Sequence, residues 1–478
     1  MALHIEGSAQ VLLKSGVFLN PAQVFNRDMS VLVTSVYAQR LKTKLETQGR
    51  PFQGLNILEP MAASGIRSIR YYKEINQPIQ RLIANDLSPE AVEEIKQNFE
   101  SNNVMGEVTQ ADACEIMYRN KGVWDIVDLD PYGSVASFID AGVQAVKSGG
   151  LLCVTSTDVS TLCGNNPDTC FYKYQSIPTK AKHCHEFALR VLLYQLNASA
   201  NKYQLVVKPL LSLSVDFYVR VFVQVISSAL EAKKSIAKSA LVFQCTQCPA
   251  YYLHYLGREG RNKYTTNVFE GHSVCPECGG KFLIQGPIYA GNLHEKDFVD
   301  EVIQTLEERN MKTHDKLKGV LVCVKDELDI PLNWDLSMLC KFFKSQVMSQ
   351  KQFRSAVRSS GLNISQSHTH PMKYKINVEV SQLFDIFRHW KKTIASDRYI
   401  SNLPEDSAAV RVLNKEPKTP CPDFEQELTE HEQSVLSSIR FPPNEANWGP
   451  KPRAKRQADT NIDESKKKKQ EIEDDTEE

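Results

Sequence analysis

The first half of the chain switches repeatedly between short apolar runs and amphipathic spacing. Leu55 to Leu58, Arg81 to Ala84, a run ending at Val108, Trp124 to Leu129 and Leu151 to Thr155 each read as strands. Helical segments lie between them. One opens in the small-residue loop Glu59 to Arg67 and runs through Lys73. Another starts at Ser88-Pro89-Glu90, where a capping hydroxyl meets a first-turn proline. An earlier helix is expected from Ser30 to about Leu45, capped by Ser30 or Asp28, and Gly149-Gly150 is expected to break the chain before the fifth strand. Strand alternating with helix at this spacing predicts an α/β domain on a parallel, doubly wound sheet, residues 1–230. Ser212 to Val225, with Asp216, Tyr218 and Arg220 between apolar neighbours, reads as the strand that closes it.

Polar residues then fall at the strand ends. In Asp130-Pro131-Tyr132-Gly133 the proline cannot donate to a sheet, so the chain must leave it there, with a carboxylate and a ring side by side. Open α/β sheets bind ligands at that edge. An acceptor beside an aromatic plate suits a flat base carrying an exocyclic amine; the bland alternative is a tight turn with a solvated acid. Asp86 follows Gly65 by about 20 positions, the offset at which such folds set an acid on a ribose diol. The loop before it lacks G-x-G-x-x-G, so it fits a nucleoside rather than a dinucleotide phosphate. Asp112 ends the third strand, where it can accept an adenine amino hydrogen. Arg27 stands between a turn and a helix start, poised for a ligand or for a salt bridge near Asp28. His183 and His185 lie about 200° apart on a helix and do not converge on one ion.

Composition adds limits. The 478 residues suit two to four domains, Lys+Arg equals Asp+Glu at 57, and no apolar run approaches the ~20 residues of a membrane span. The N-terminus lacks a signal-peptide pattern and is poor in Arg for a mitochondrial presequence. The 12 cysteines therefore favour thiols or metal ligands over disulfides. Beyond a boundary at Ser227 to Ser239, Cys245-x-x-Cys248 and Cys275-x-x-Cys278 form the zinc-ribbon pattern, four thiolates closing a structural tetrahedral site. The gap between the pairs requires a projecting loop, Arg258 to Gly271. Residues 240–415 are then expected to form a second, α+β domain. In it Leu336–Lys344, Gln350–Ser359 and Asn363–Gln366 resemble a helix-turn-helix with a wing, offering Lys341, Lys344, Lys351, Arg354 and Arg358 to nucleic acid or to solvent. Residues 416–478 read as a disordered tail, with basic runs at Lys451 to Arg456 and Lys466 to Lys469 suited to nuclear import or RNA contact.

VFLNP, FNRD, EPMAASGIRSIR, ANDLSPEAV, QADA, DLDPYGS, CHEFALRV, DFYVRVF, the two C-x-x-C pairs and EANWGPKPRA occur in one order over nearly the whole chain. In these the sequence resembles the eukaryotic tRNA (guanine-N2-)-dimethyltransferases, which act on guanosine 26 of tRNA. The resemblance implies a class I, Rossmann-like methyltransferase sheet, S-adenosylmethionine as cofactor, zinc, and tRNA as partner. It implies that Arg27, Arg67, Asp86, Asp112 and Ala113 bind the cofactor, joined by Glu59 and Gly65 of the small-residue loop. Asp130 becomes the catalytic acid residue at the amine, with Pro131 and Tyr132 beside it and Phe18 holding the base. VFLNP departs from the family in having Leu19 where many members carry an aromatic. The alternatives are an amine methyltransferase on another RNA base, or a non-catalytic RNA-binding or chaperone protein that keeps the fold. A monomer is expected, with no membrane association. The tail and the resemblance imply the nucleus, with the mitochondrion as a second location.

Overall fold

The structure, a computed structural model, describes residues 2–13, 22–261, 263–393, 404–438 and 440–442. Phe18 with its VFLNP motif, EANWGPKPRA and both basic runs lie outside the described residues.

The chain opens with a hairpin of β1 (Ala2–Glu6) and β2 (Ala9–Leu13), then the long helix α1 (Gln23–Thr47). Asp28 and Ser30 do not cap α1. They lie buried inside it, and Ser30 Oγ donates back to the Asn26 carbonyl. A seven-stranded sheet follows, of β3 (Leu55–Glu59), β4 (Ile79–Asp86), β5 (Glu107–Gln110), β6 (Trp124–Leu129), β7 (Val146–Ser156), β8 (Leu205–Val215) and β9 (Tyr218–Ser227). Its order is β5-β4-β3-β6-β7-β9-β8.

The sheet is mixed rather than wholly parallel. Strands β3 to β7 run parallel, but β9 enters antiparallel between β7 and β8. The expected single closing strand is in fact a hairpin: Val215 pairs with Tyr218 across a two-residue turn in which Asp216 adopts φ +52°. A hairpin must be antiparallel, so the sheet's direction reverses here. Gly149-Gly150 does not break a strand either. β7 runs through both, and its register against β6 shifts between Trp124 and Ile126.

Period-2 alternation sends the side chains of each strand to two cores. Leu55 and Ile57 face one with α1, α2 (Ile66–Glu74) and α3 (Pro89–Ser101). Leu58, Val127 and Leu129 face the other with α4 (Ala113–Arg119) and α5 (Ile139–Ala145). Short helices α6 (Val159–Leu162) and α7 (Pro167–Tyr174) lead to α8 (Cys184–Asn201), which covers the second face.

The expected boundary is helical: α9 (Ala229–Lys234) and a 3-10 turn, pinned where Asn197 Nδ2 donates to Ser235 Oγ at 2.9 Å. Strands β10 (Ser239–Cys245) and β11 (Tyr251–Tyr255) begin the cysteine module, and β12 (Gly257–Glu259) with β13 (Tyr264–Thr266) forms a hairpin in the projecting loop. Strand β14 (Phe282–Tyr289) pairs with β10. Helices α10 (Lys296–Glu307) and α11 (His314–Asp326) follow in sequence, yet Phe298, Val302, Leu317 and Leu321 join the core beneath α1. They complete the first layer of the sheet.

The winged element forms largely as read: β15 (Trp334–Asp335), α12 (Leu336–Phe342), α13 (Gln350–Ser359), β16 (Ile364–Gln366), β17 (Lys373–Ile376) and α14 (Val380–Thr393). Helices α15 (Ala408–Leu413) and α16 (Glu430–Ser437) come after it. Two expectations fail here. The stretch from residue 416 is ordered as far as 438, and α16 carries a Thr429/Glu432 capping box. That stretch also covers the basic face of α13: Lys351 meets Glu427 at 2.5 Å, and Arg354 and Arg358 meet Glu432 at 3.2 and 3.1 Å. Arg354 and Arg358 are thus engaged by Glu432 and Lys351 by an exposed pair, whereas Lys341 and Lys344 are exposed without an acidic partner among the described residues.

Candidate active site

Parallel strands β5, β4, β3 and β6 are neighbours, so their carboxyl ends share one edge. Asn85, fully buried at the end of β4, knits them together. Its Nδ2 donates to the carbonyls of Pro60 and Ala111 at 3.0 and 2.9 Å, and its Oδ1 accepts from Thr109 at 2.8 Å. The loop after β3 is tight: Ala63 takes φ +51° and Gly65 φ +74°. A Cβ at Gly65 would stand 3.2 Å from Ile95 and Phe99 of α3, so glycine allows both the turn and the close approach of the helices.

The acids occupy distinct settings on this edge. Asp86 accepts from the amides of Ala63 at 2.9 Å and Ser88 at 3.0 Å. Asp112 is exposed and caps α4, with Oδ1 accepting from Cys114 and Glu115, and Ala113 is the first residue of that helix. Glu59 is buried and accepts from the amide and hydroxyl of Ser68. Burial pushes its carboxyl up to about 7; Arg67 and Ser68 oppose the rise, while Asp128 and Asp130 add to it.

Arg67 is the hub. Its Nε lies 3.3 Å from Glu59, its Nη1 donates to Asn26 and Ser30 at 3.0 and 2.9 Å, and its Nη2 pairs with Asp130 Oδ2. Burial opposes its charge, but Asp128 and Asp130 hold it firmly protonated. One guanidinium thus fixes the ends of β3 and β6 relative to each other. Asp130 keeps partial exposure, and Oδ1 has no hydrogen-bond partner among the described residues. Pro131 is buried and Tyr132 is 94% exposed. Gly133 adopts φ +84°, and its amide donates to Thr157 Oγ1 at 2.8 Å.

Beneath the edge lies a charge cluster that the sequence did not single out. Asp128, fully buried in β6, accepts from Tyr71 at 2.5 Å and from both terminal nitrogens of Arg220 at 2.9 and 2.7 Å. Burial raises its carboxyl, but Arg220 and Arg67 outweigh that and hold it at about 2. A second cluster joins the hairpin to the helices. Arg27 forks onto Glu6 at 2.6 and 2.5 Å, and Arg70 reaches Glu6 and Asp28 at 2.9 and 2.7 Å. Arg27 is therefore taken up by Glu6 rather than by Asp28. The advance signal for the Asp128–Arg220 pair was a charged residue inside each of two otherwise apolar runs, DFYVRVF and WDIVDLD.

The four cysteines converge. Cys245, Cys248, Cys275 and Cys278 are buried with sulfurs all within 4.8 Å of one another. Cys245–Cys278 and Cys248–Cys275 stand at 3.4 and 3.7 Å, near the ~3.8 Å edge of a tetrahedron with Zn–S of about 2.3 Å. Gly280 would bring a Cβ within 3.0 Å of the Cys245 sulfur, so that turn needs glycine. The donor set fits zinc. His183 does not join His185: it packs edge-on against Tyr251, while His185 faces Cys163.

A family profile described as TRM, N2,N2-dimethylguanosine tRNA methyltransferase, matches residues 2–388. The chain belongs to this family. It is 37% identical to the tRNA (guanine(26)-N(2))-dimethyltransferase of Homo sapiens over 94% of this chain and 77% of that protein. It is 33% identical to the Schizosaccharomyces pombe enzyme of the same name, over 96% and 93%. A Saccharomyces cerevisiae relative, 34% identical over 94% of this chain and 91% of that protein, carries the same name with the addition "mitochondrial". Among solved structures, Trm1 from Pyrococcus horikoshii in complex with S-adenosyl-L-methionine superposes with a TM-score of 0.67 at 24% identity, covering 80% of this chain and 99% of that one. That likeness fixes the fold. No described helix of this N2,N2-dimethylguanosine tRNA methyltransferase family member is long and apolar enough to cross a membrane.

Proposed function

We propose that this chain transfers methyl groups from S-adenosylmethionine to the exocyclic N2 of a guanosine, position 26, in tRNA. The observation that carries the reading is the Arg67 hub, which sets Asp130 of the Asp-Pro-Tyr-Gly corner against the edge where Glu59, Asp86 and Asp112 gather. The cofactor fits that edge. Asp86 retains acceptor capacity beyond its two amide bonds, and Asp112 Oδ2 has no partner among the described residues. Asp86 holds the ribose diol, Asp112 with Ala113 the adenine, and Glu59 the methionine ammonium. Arg67 acts by fixing Glu59 and Asp130 in one frame, and Arg27 by anchoring the hairpin beside them. When bound, S-adenosylmethionine supplies the electrophilic methyl on its sulfonium.

The guanine amine is a poor nucleophile because its lone pair is delocalised into the ring. The chain's task is to hold that nitrogen in line, and positioning of this kind supplies ~7–11 kcal/mol. Asp130 Oδ1 and the backbone oxygens around Pro131 accept the amine hydrogens, which favours a more tetrahedral nitrogen and stabilises its developing positive charge. Tyr132, free on the surface, stacks on the base; Phe18, to which the VFLNP motif gives a part in holding the base, lies outside the described residues. The target must leave its stem, at a cost of a few kcal/mol, which phosphate contacts elsewhere offset. The basic runs of the tail direct the protein to the nucleus, and the yeast relative's name makes the mitochondrion a second destination.

Nucleoside mass spectrometry on tRNA incubated with the protein and S-adenosylmethionine tests this. N2-methylguanosines are expected. N6-methyladenosine in their absence would overturn the substrate, and no methylated nucleoside would favour the non-catalytic scaffold.

A further inference from the structure

We infer that the face from Tyr132 over α7 to the zinc knuckle is the track on which tRNA lies beside the active site, an inference that rests on the methyl transfer proposed above. Helix α7 is fastened to the corner loop. Tyr174, fully buried, places its hydroxyl 2.7 Å from Ser134 Oγ and 3.2 Å from Ser156 Oγ. Three and two residues earlier on the helix, Phe171 and Tyr172 are 49% and 67% exposed. With Tyr132, a single loop-and-helix unit presents three rings to solvent, next to the proposed acceptor. Rings held on a rigid support in this way are the platform on which unpaired bases stack.

Charge continues the track. The chain leaves α7 through Ile177, which pairs with Gly286 of β14, and enters a groove of about 420 Å³ between the 179–183 loop and the Cys245–Cys248 knuckle. Lys180 and Lys182 line that groove, are exposed, and have no acidic partner among the described residues. Asp335, the one carboxylate among the lining residues, is occupied as the cap of α12, accepting from Met338 at 2.9 Å, and the thiolates of Cys245 and Cys248 in the lining are committed to the metal site. The competing basic face, on α13, is covered by Glu427 and Glu432. Flat rings followed by unpaired ammoniums suit a polyanion with exposed bases. Phe171 and Tyr172 stack on nucleotides flanking the extruded guanosine, and Lys180 and Lys182 contact the phosphates that follow.

The test compares F171A/Y172A and K180Q/K182Q with the full-length, zinc-loaded wild type. Three readouts are needed: tRNA affinity over a range of salt, KM and kcat for tRNA, and thermal stabilisation by S-adenosylhomocysteine. Losing the rings is expected to weaken tRNA binding at least about tenfold with the salt slope retained. Losing the two ammoniums is expected to flatten the slope by roughly 1.5. Stabilisation by S-adenosylhomocysteine should persist in every variant. The lysine pair is on the surface, so it decides the matter even if the ring variant fails to fold. If tRNA affinity stays within about twofold of wild type in folded variants that still bind S-adenosylhomocysteine and methylate, the track is wrong and the methyl transfer stands. If the wild type itself makes no product, the parent reading falls and the track with it. Reduced self-association of F171A/Y172A at unchanged tRNA affinity would assign the rings to a protein contact and overturn the proposal.

Discussion

Replacing Asp128 by Asn changes one charge and almost no volume, so it isolates the buried cluster under the active edge. The wild-type carboxylate has no solvent exposure, takes three hydrogen bonds from Tyr71 and Arg220, and faces Arg67 at 3.6 Å. Two magnitudes bear on the outcome. Holding the carboxyl at about 2 rather than 3.8 corresponds to roughly 2 kcal/mol of folded-state preference for the charged form. Removing one partner of a buried pair costs more, ~3–5 kcal/mol, because Arg220 and Arg67 are then left facing each other without their shared anion. The larger figure applies to D128N, since the amide removes the anion at every pH and sets an NH2 donor against the guanidinium donors of Arg220. At ~2–4 °C per kcal/mol, the melting temperature should fall by about 6–20 °C. The folded pKa lies below the unfolded one. The carboxylate's stabilisation is therefore complete above pH ~4 and lost as pH falls toward 2. Denaturant titrations of wild type and D128N from pH 3 to pH 8 provide the assay. The gap should be constant from about pH 5 upward and narrow below pH 4. A gap under 1 kcal/mol at neutral pH, or one that disappears near pH 6, would refute the reasoning.

Other outcomes follow from the same geometry. Glu59 is pushed up to about 7, so S-adenosylmethionine affinity should weaken as pH falls below 7, and E59Q should remove that dependence in isothermal titrations. The same shift means that, without cofactor, Glu59 takes stability away as pH rises from ~4.3 through 7, which E59Q should also abolish. Metal analysis should find one zinc per chain on Cys245, Cys248, Cys275 and Cys278. Chelation should open residues 240–290 to proteolysis and lower the melting temperature; an unchanged melting curve would count against a structural ion. Gly65→Ala must adopt φ +74° with its Cβ 3.2 Å from Ile95 and Phe99, so it should lose about 1–2 kcal/mol in chemical denaturation and bind S-adenosylmethionine more weakly.

What the sequence made legible was local. Short apolar runs located the parallel strands, and Pro131 forced the chain off the sheet at the site. Two C-x-x-C pairs located the metal module, and the order of motifs located the family. What stayed hidden was the identity of distant partners. Asp128 lies in β6 and Asp130 just past its end, and the Asp-Pro-Tyr-Gly corner draws notice only to Asp130. Nothing local says that Arg220, far along the chain, anchors Asp128, or that Glu6 of the opening hairpin claims Arg27. The direction of β9 turned on a two-residue turn at Asp216, which propensity does not mark as a reversal. The polar, proline-rich segment after residue 416 lacked the composition of an element. It packs down because Phe424 meets Trp390 at 5.0 Å between ring centres and Val435 is buried, with Glu432 pairing Arg354 and Arg358, contacts visible only in the folded chain.

The central claim, that Asp130 receives the amine hydrogens of the target guanosine, is tested most directly by single-turnover methylation of tRNA with Asp130→Ala, alongside S-adenosylmethionine affinity and melting temperature. The account predicts a loss of about 10²–10³ in rate with cofactor affinity retained in a folded protein. Turnover within about tenfold of wild type would remove Asp130 from the reaction and contradict the account.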